Sequence, residues 1–391
     1  MSETYRLMVV VGEPSGDAHA AALVRALRST APRINFEFFG ATGPLMRKEQ
    51  VETIVNSDSL AIMGIVEVGR VFPRFLRAFR ELKDAALVRK PDAVILVDWP
   101  EFNLRLASAL HRRGFKVIYY ISPQLWAWRS RRIKTIKRHV DLMLAILPFE
   151  VEWYKARGVD HIEFVGHPLS GEVHARYGRE EFCRKHNLAP SKPVVALLPG
   201  SRHKELIRIL PPMLDAVDQL VRQRPDVQPL IVVAPSRRRN EVIGILSARS
   251  LKPPLTIVEH ETREALAAAD AAAVASGTAT LEAALLGTPM VIVYKESSIN
   301  WHTLGRLITV DHYGLVNLIA GKRLVTELMQ DELTGERLCE EIVRLLDPVQ
   351  NQKMRSQLHA IKNQLGESEA SERAARSIVT FLRALGSPTV G

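Results

Sequence analysis

Two cysteines, Cys183 and Cys339, are all that the 391 residues contain. Their separation excludes a disulfide framework or a zinc-knuckle spacing and points to a reducing, cytoplasmic setting. The histidines form no metal-ligand spacing, and His167, in Gly166-His167-Pro168, reads as a hinge or core residue. No Asp-x-Asp pair of the kind that holds a metal on a sugar nucleotide's diphosphate is present, so no metal and no cofactor are expected. Nucleotide fingerprints are missing as well. Gly12-Glu13-Pro14-Ser15-Gly16-Asp17 has neither the GxGxxG spacing nor a Gly-Lys-Ser/Thr, which disfavours a nicotinamide or ATP enzyme. Leu7–Val11 is too short for a signal-peptide core and reads as a first strand. Acidic residues are the minority, 43 against 53 Lys and Arg, and the net charge of +10 favours anionic partners: nucleic acid, acidic lipid or a phosphorylated substrate.

What is present is apolar and periodic. At 47% hydrophobic the chain is too long for one ordinary core and suggests two domains. Apolar runs near residues 5–11, 36–39, 93–97, 117–121 and 142–146 alternate with helical stretches, which predicts an α/β fold with a mostly parallel sheet. Pro168 and Gly171 mark a break, and a boundary is placed near residue 170. The scheme then repeats, with strands near 194–198, 230–234, 255–258, 271–275 and 290–294. The domains are read as 1–170, 171–345 and, past the last strand, helices over 346–391 that pack across domains or exchange between subunits of a possible homodimer.

Ala271 to Tyr294 has the length of a membrane span but is interrupted by Ser276-Gly277-Thr278 and Gly287-Thr288-Pro289. The spacing predicts strand, turn, helix, stop and strand. Such a turn presents free amides at a helix N-terminus, where anions settle. Thr278 and Glu282 share one face of that helix, and a lone Glu among apolar residues suggests a ligand role. Leu197-Leu198-Pro199-Gly200-Ser201-Arg202 also ends a strand and opens a helix. Gly200 allows close backbone approach, and Arg202 can form two parallel hydrogen bonds to a phosphate. The two loops outline a pocket for a nucleoside diphosphate. In the first half, Asp98 follows a buried strand, where a carboxylate gains a raised pKa and can serve as general base. Asp17 and Ser15 are read equally well as helix N-caps or as ligand contacts, and Asn317 as a turn residue or a nucleotide contact.

Ser59 to Lys83 places Phe72, Phe75 and Phe79 opposite Arg70, Arg74 and Arg77, a basic amphipathic helix extended by Met63, Ile65, Val66 and Val68. At an anionic bilayer the rings would insert while the arginines meet lipid phosphates. The basic run Arg129 to Arg138, after Trp126 and Trp128, reads first as a solvated helix face, then as a lipid-phosphate site. Nucleic-acid binding is the lesser reading, and no nucleic acid is expected as a partner.

In this order GEPSGD (12–17), AIMGIVEV (61–68), VDWPEFN (97–103), SPQLWAWR (122–129), LPFE (147–150), GHP (166–168), LLPGSR (197–202), ASGTATLE (275–282) and NLIAG (317–321) resemble the bacterial lipid-A-disaccharide synthases, glycosyltransferases of the GT-B type. Trp99 and Glu101 stand where some members have smaller or shorter residues, and Val316 where a proline often precedes the Asn. The resemblance implies two Rossmann-like domains facing across a cleft, with C-terminal helices. It implies a single inverting transfer of 2,3-diacylglucosamine from its UDP form to 2,3-diacylglucosamine 1-phosphate, on the inner face of the inner membrane. Asp98 would be the base and Arg202 would stabilise departing UDP. Gly200, Ser201, Ser276, Gly277, Thr278, Glu282 and Asn317 would hold the nucleotide, and Glu13, Ser15, Gly16, Asp17 and Asn103 would lie on the acceptor side. A soluble UDP-N-acetylglucosamine epimerase or another GT-B enzyme is the nearest alternative.

Overall fold

The computed structural model describes residues 3–58, 68–249, 254–297, 312–366 and 369–386, with the backbone alone at 68–72. Two compact units result, Met1–Pro168 with Leu365–Gly391, and Leu169–Gln364.

The first unit is built on seven parallel strands in the order β3-β2-β1-β4-β5-β6-β7. These are β1 (Glu3–Val10), β2 (Ile34–Thr42), β3 (Glu52–Asn56), β4 (Ala93–Val97), β5 (Val117–Tyr120), β6 (Leu142–Ala145) and β7 (Ile162–Phe164). The central strands are unbroken apolar runs because both sheet faces are covered. Alternate side chains enter different cores. Leu7 and Val9 of β1 join Ile95 of β4 beneath the helix Pro14–Thr30, whereas Met8, Val10, Val94 and Leu96 meet Leu82, Ala86 and Leu106 from helices on the other face. The helix Ala370–Ala384 packs on Pro14–Thr30 and so belongs to this unit.

The second unit has six parallel strands in the order β10-β9-β8-β11-β12-β13. They are β8 (Val194–Leu198), β9 (Gln228–Val233), β10 (Thr256–Glu259), β11 (Ala271–Ala275), β12 (Met290–Tyr294) and β13 (Glu327–Met329). The helix Thr278–Leu285 joins β11 to β12, the strand–helix–strand unit that the interruptions in Ala271–Tyr294 foretold. The helices Gly335–Leu346 and Pro348–Gln364 stay with this unit, which therefore runs past the expected limit at 345.

In both sheets the strand order reverses beside the first strand of the unit, between β1 and β4 and between β8 and β11. Chain connections there leave on opposite faces and open a crevice at the carboxyl strand ends. Asp98 and the Gly12–Asp17 loop stand at the first such point, and the 199–202 and 276–278 loops at the second.

Candidate active-site loops of the two units

In the first unit β4 ends in two consecutive left-handed residues, Asp98 (φ 48°) and Trp99 (φ 50°). Non-glycine residues hold this conformation only where surroundings enforce it. Here the Asp98 carbonyl accepts from Asn103 Nδ2 at 2.8 Å and from the Tyr119 hydroxyl at 2.7 Å, and Asn103 Nδ2 also reaches the Val97 carbonyl at 3.2 Å. The Trp99 ring stacks on Phe102 at 4.2 Å and lies so close to Gly12 that a Cβ there would meet it at 2.0 Å. Gly12 is thus needed for this close approach. The turn leaves the Asp98 carboxyl half-buried, and burial, reinforced by the nearby Glu13 carboxylate, pushes its pKa above the ordinary range. A carboxylate held so is a stronger proton acceptor than an exposed one. Asn103 is itself fully buried, so it fixes the turn rather than facing an acceptor.

Asp17 has a different task from the one its place in GEPSGD suggests. Its buried carboxylate accepts from the amides of Gly43 (3.0 Å), Leu45 (2.7 Å) and Met46 (3.1 Å), capping the helix Pro44–Lys48. Three donors occupy its oxygens, which corrects its reading as a ligand contact on the acceptor side. Gly16 is buried behind it, while Glu13 and Ser15 are exposed.

Glu150, within the LPFE segment, carries no signal of a site residue in the sequence. It is 1% exposed, and its carboxyl accepts from Ser122 Oγ (2.6 Å), Trp126 Nε1 (3.0 Å) and the Leu147 amide (3.2 Å). It ties the 122–126 loop to the helix Pro148–Lys155, and burial lifts its pKa to about 7 against the pull of those donors. His167 is buried too, and loss of solvation lowers its pKa to about 4, in keeping with a core residue.

Of the expected membrane contacts, Met63, Ile65 and Val66 lie outside the described residues, and no side chain is described at Val68 or Phe72. Phe75 and Phe79 are corrected: they lean into the unit, Phe75 on Trp99 (5.6 Å) and Phe102 (6.1 Å), Phe79 on Phe102 (5.9 Å). Both rings are half-buried, packed against the Asp98 turn by one side. Among the described residues no helix is long and apolar enough to cross a membrane.

In the second unit a cavity of about 320 Å³ opens between Gly200–Arg202 and Ser276–Ala279, with Glu282 and Thr262 in its wall. Gly277 (φ 149°) has open space where a Cβ would stand, and the amides of Gly277, Thr278 and Ala279 have no partner among the described residues. These donors and the positive end of the helix form an anion seat. The Ser276 amide is already bonded to the Val293 carbonyl at 2.9 Å. One Glu282 oxygen accepts from Arg263 Nε (3.1 Å), and the other has no partner among the described residues at the cavity.

The 200–202 loop works differently from expectation. Glu205, in the first turn of the helix His203–Gln223, accepts from the amides of Ser201 (2.9 Å) and Arg202 (3.1 Å), so these donors are not free for phosphate. Gly200 (φ 111°) is required because a Cβ would lie 2.5 Å from that carboxylate. The loop's offering is the Arg202 guanidinium, 81% exposed and resting on Glu205 at 3.0 Å. Exposed ion pairs are worth roughly 0–1 kcal/mol, so a phosphate can take Arg202 from Glu205 at small cost. A Glu three residues after the helix N-cap was the signal for this arrangement.

Asn317 is corrected as a nucleotide contact. It is fully buried, with Nδ2 bonded to the Val325 carbonyl (2.8 Å) and Glu327 Oε1 (2.7 Å), and Oδ1 accepting from the amides of Leu324 and Val325, each at 2.8 Å. That exhausts the amide's hydrogen-bonding capacity along the chain leading into β13.

Two parallel Rossmann-like units whose loops gather at the strand-order reversals define the GT-B class of glycosyltransferases and epimerases. A UDP-N-acetylglucosamine 2-epimerase from Neisseria meningitidis, solved bound to UDP-GlcNAc, matches with TM-score 0.61 at 11% identity over 96% of this chain and 99% of that one. CalG4, the calicheamicin glycosyltransferase, matches with TM-score 0.59 at 15% identity over 98% and 99%. At such identities the likeness is one of fold. Sequence is more specific: a family model described as lipid-A-disaccharide synthetase matches residues 7–379. Lipid-A-disaccharide synthases from Geobacter sulfurreducens and Myxococcus xanthus are each 42% identical, the first over 97% of this chain and 98% of its own, the second over 98% and 99%. The chain belongs to the lipid-A-disaccharide synthase family and is a glycosyltransferase.

Proposed function

We propose that the protein transfers 2,3-diacylglucosamine from its UDP form to the 6-hydroxyl of 2,3-diacylglucosamine 1-phosphate, in one inverting displacement that needs no metal. The observation that carries this reading is the cavity of the second unit, where helix amides and a Glu282 oxygen that have no partner among the described residues converge with a loosely held Arg202. The Gly277–Ala279 amides and Arg202 take the diphosphate, and Glu282 accepts from the ribose hydroxyls. Charge developing on departing UDP then meets fixed donors that need little reorganisation. Asp98 removes the acceptor proton as the 6-oxygen attacks the anomeric carbon from the face opposite UDP, and its raised proton affinity suits that role. The enzyme works at the inner face of the inner membrane, with Met63, Ile65, Val66, Val68 and Phe72 meeting anionic lipid. Incubation with both acylated substrates, followed by mass spectrometry for the disaccharide 1-phosphate and NMR of the new anomeric proton, tests the reading. Product of retained configuration, or transfer abolished by a chelator, would overturn the inverting, metal-free route.

A further inference from the structure

A second cavity, of about 290 Å³, lies in the first unit beside the helix Pro100–His111. Glu101, Leu104, Arg105 and Ser108 line it from one face of that helix, and Arg132 and Thr135 face them from the chain leading into β6. Of the basic run that begins at Arg129, Arg132 lines the cavity, while Arg129 stays exposed and reaches the same carboxylate from outside it. Arg129 Nη1 and Arg132 Nη2 each hold one oxygen of Glu101, both at 2.6 Å. Two guanidiniums thus converge on a small planar oxyanion that is itself half-exposed. Arg105 stands on the same wall and makes no ion pair among the described residues. Three cations stand near one carboxylate, which leaves positive charge unmatched among the described residues.

We propose that this cavity holds the phosphate monoester of the sugar acceptor, with Arg105 and Arg132 as its ligands and the Glu101 carboxylate displaced when it is filled. The inference rests on the acceptor named above. A phosphate monoester carries about −1.5 to −2 charge at pH 7, which matches the excess left by Glu101. Guanidinium forks suit its tetrahedral face of oxygens better than a point charge does. Position agrees as well. Arg105 lies one turn beyond Glu101 on a helix that starts two residues after Asp98, so the cavity is displaced from the base by roughly 5–8 Å along the axis. A pyranose with its 6-hydroxyl at one end and its 1-phosphate at the other spans a comparable distance. The site would then select the phosphorylated sugar as acceptor and orient its 6-hydroxyl toward Asp98.

The test compares the 1-phosphate acceptor with the same diacylglucosamine carrying a methyl group at O1. Removing one partner of a charge-assisted hydrogen bond corresponds to a loss of about 10- to 100-fold. In Arg105→Ala the ratio of kcat/KM for phosphorylated over methylated acceptor should fall by that factor, through KM, and Arg105→Lys should recover part of it. Glu101→Gln should lower KM for the phosphorylated acceptor alone. An unchanged ratio in Arg105→Ala overturns the proposal. So does loss of binding to phosphatidylglycerol vesicles with acceptor KM intact, which would make the cavity a lipid-headgroup site. Should the unaltered enzyme form no disaccharide from either acceptor, the proposed function fails instead. Calorimetry with glucosamine 1-phosphate, expected to bind the unaltered chain and not Arg105→Ala, then decides this inference separately.

Discussion

Replacing Glu150 with Gln should flatten the pH dependence of the first unit's stability. Glu150 is sealed from solvent, and its folded pKa of about 7 stands above the ordinary 4.5 because burial outweighs the donors from Ser122, Trp126 and Leu147. The raised value means that the folded chain keeps a proton that the unfolded chain has lost. The stabilisation from that proton is complete below about pH 4.5 and disappears as pH rises through about 7. A move of this size corresponds to about 3 kcal/mol. For a unit of this size, that amounts to roughly 6–12 °C in melting temperature. Gln is neutral throughout and can still accept from Trp126, so the variant should lose the slope while keeping the loop in place. Tryptophan fluorescence is a suitable probe, since Trp99, Trp126, Trp128 and Trp153 all lie in this unit. Melting curves between pH 5 and 8 should lie closest for the two proteins at low pH, where Glu150 is protonated and neutral like Gln, and separate at high pH, where only the unaltered protein carries the buried charge. Parallel curves would show that Glu150 does not titrate there and would refute the reasoning.

Asp98→Ala should reduce turnover by about 10²- to 10⁴-fold while UDP affinity stays unchanged, and near-normal turnover would move the base role elsewhere. The acid limb of kcat/KM should lie above the ordinary carboxylate range, and Glu13→Gln, by removing a neighbouring negative charge, should shift it to lower pH. Asn317→Ala should destabilise the second unit by several kcal/mol, at about 1–3 kcal/mol for each buried partner left unpaired, with nucleotide affinity lost only as folding is lost. Gly12→Ala should cost both activity and stability, the latter by about 1–3 kcal/mol, because its Cβ would force the buried Trp99 ring and the adjoining Asp98 turn to move.

The backbone of this account was legible in the residues. Val194–Leu198, Ala271–Ala275 and Met290–Tyr294 are buried strands with the bounds that apolar runs and Gly or Pro punctuation set. Ile162–Phe164 and Glu327–Met329 were not anticipated, since strands of three residues with a Glu among them carry too little apolar pattern. Site positions were legible as loops at carboxyl strand ends, but not what each polar side chain holds. Asp17 and Asn317 look like ligand contacts in sequence and prove to be bonded to backbone brought near by the fold. Glu205 and Glu150 look like ordinary helix acids and prove to organise the loops beside them. Partners distant in the chain, such as Gly43 for Asp17 or Ser122 for Glu150, leave no local signature. Phe75 and Phe79 show the same limit, because an amphipathic stripe has one appearance whether it faces a bilayer or Phe102.

The most direct test of the central claim is calorimetric titration of UDP into the unaltered protein, Glu282→Ala and Asp98→Ala. If the nucleotide sits between Arg202 and the Gly277–Ala279 amides with Glu282 on its ribose, Glu282→Ala should weaken binding by about 10-fold or more, the loss of a charged hydrogen bond. Asp98→Ala should bind as the unaltered protein does. UDP affinity that survives Glu282→Ala and falls in Asp98→Ala would place the nucleotide in the other unit and contradict the account.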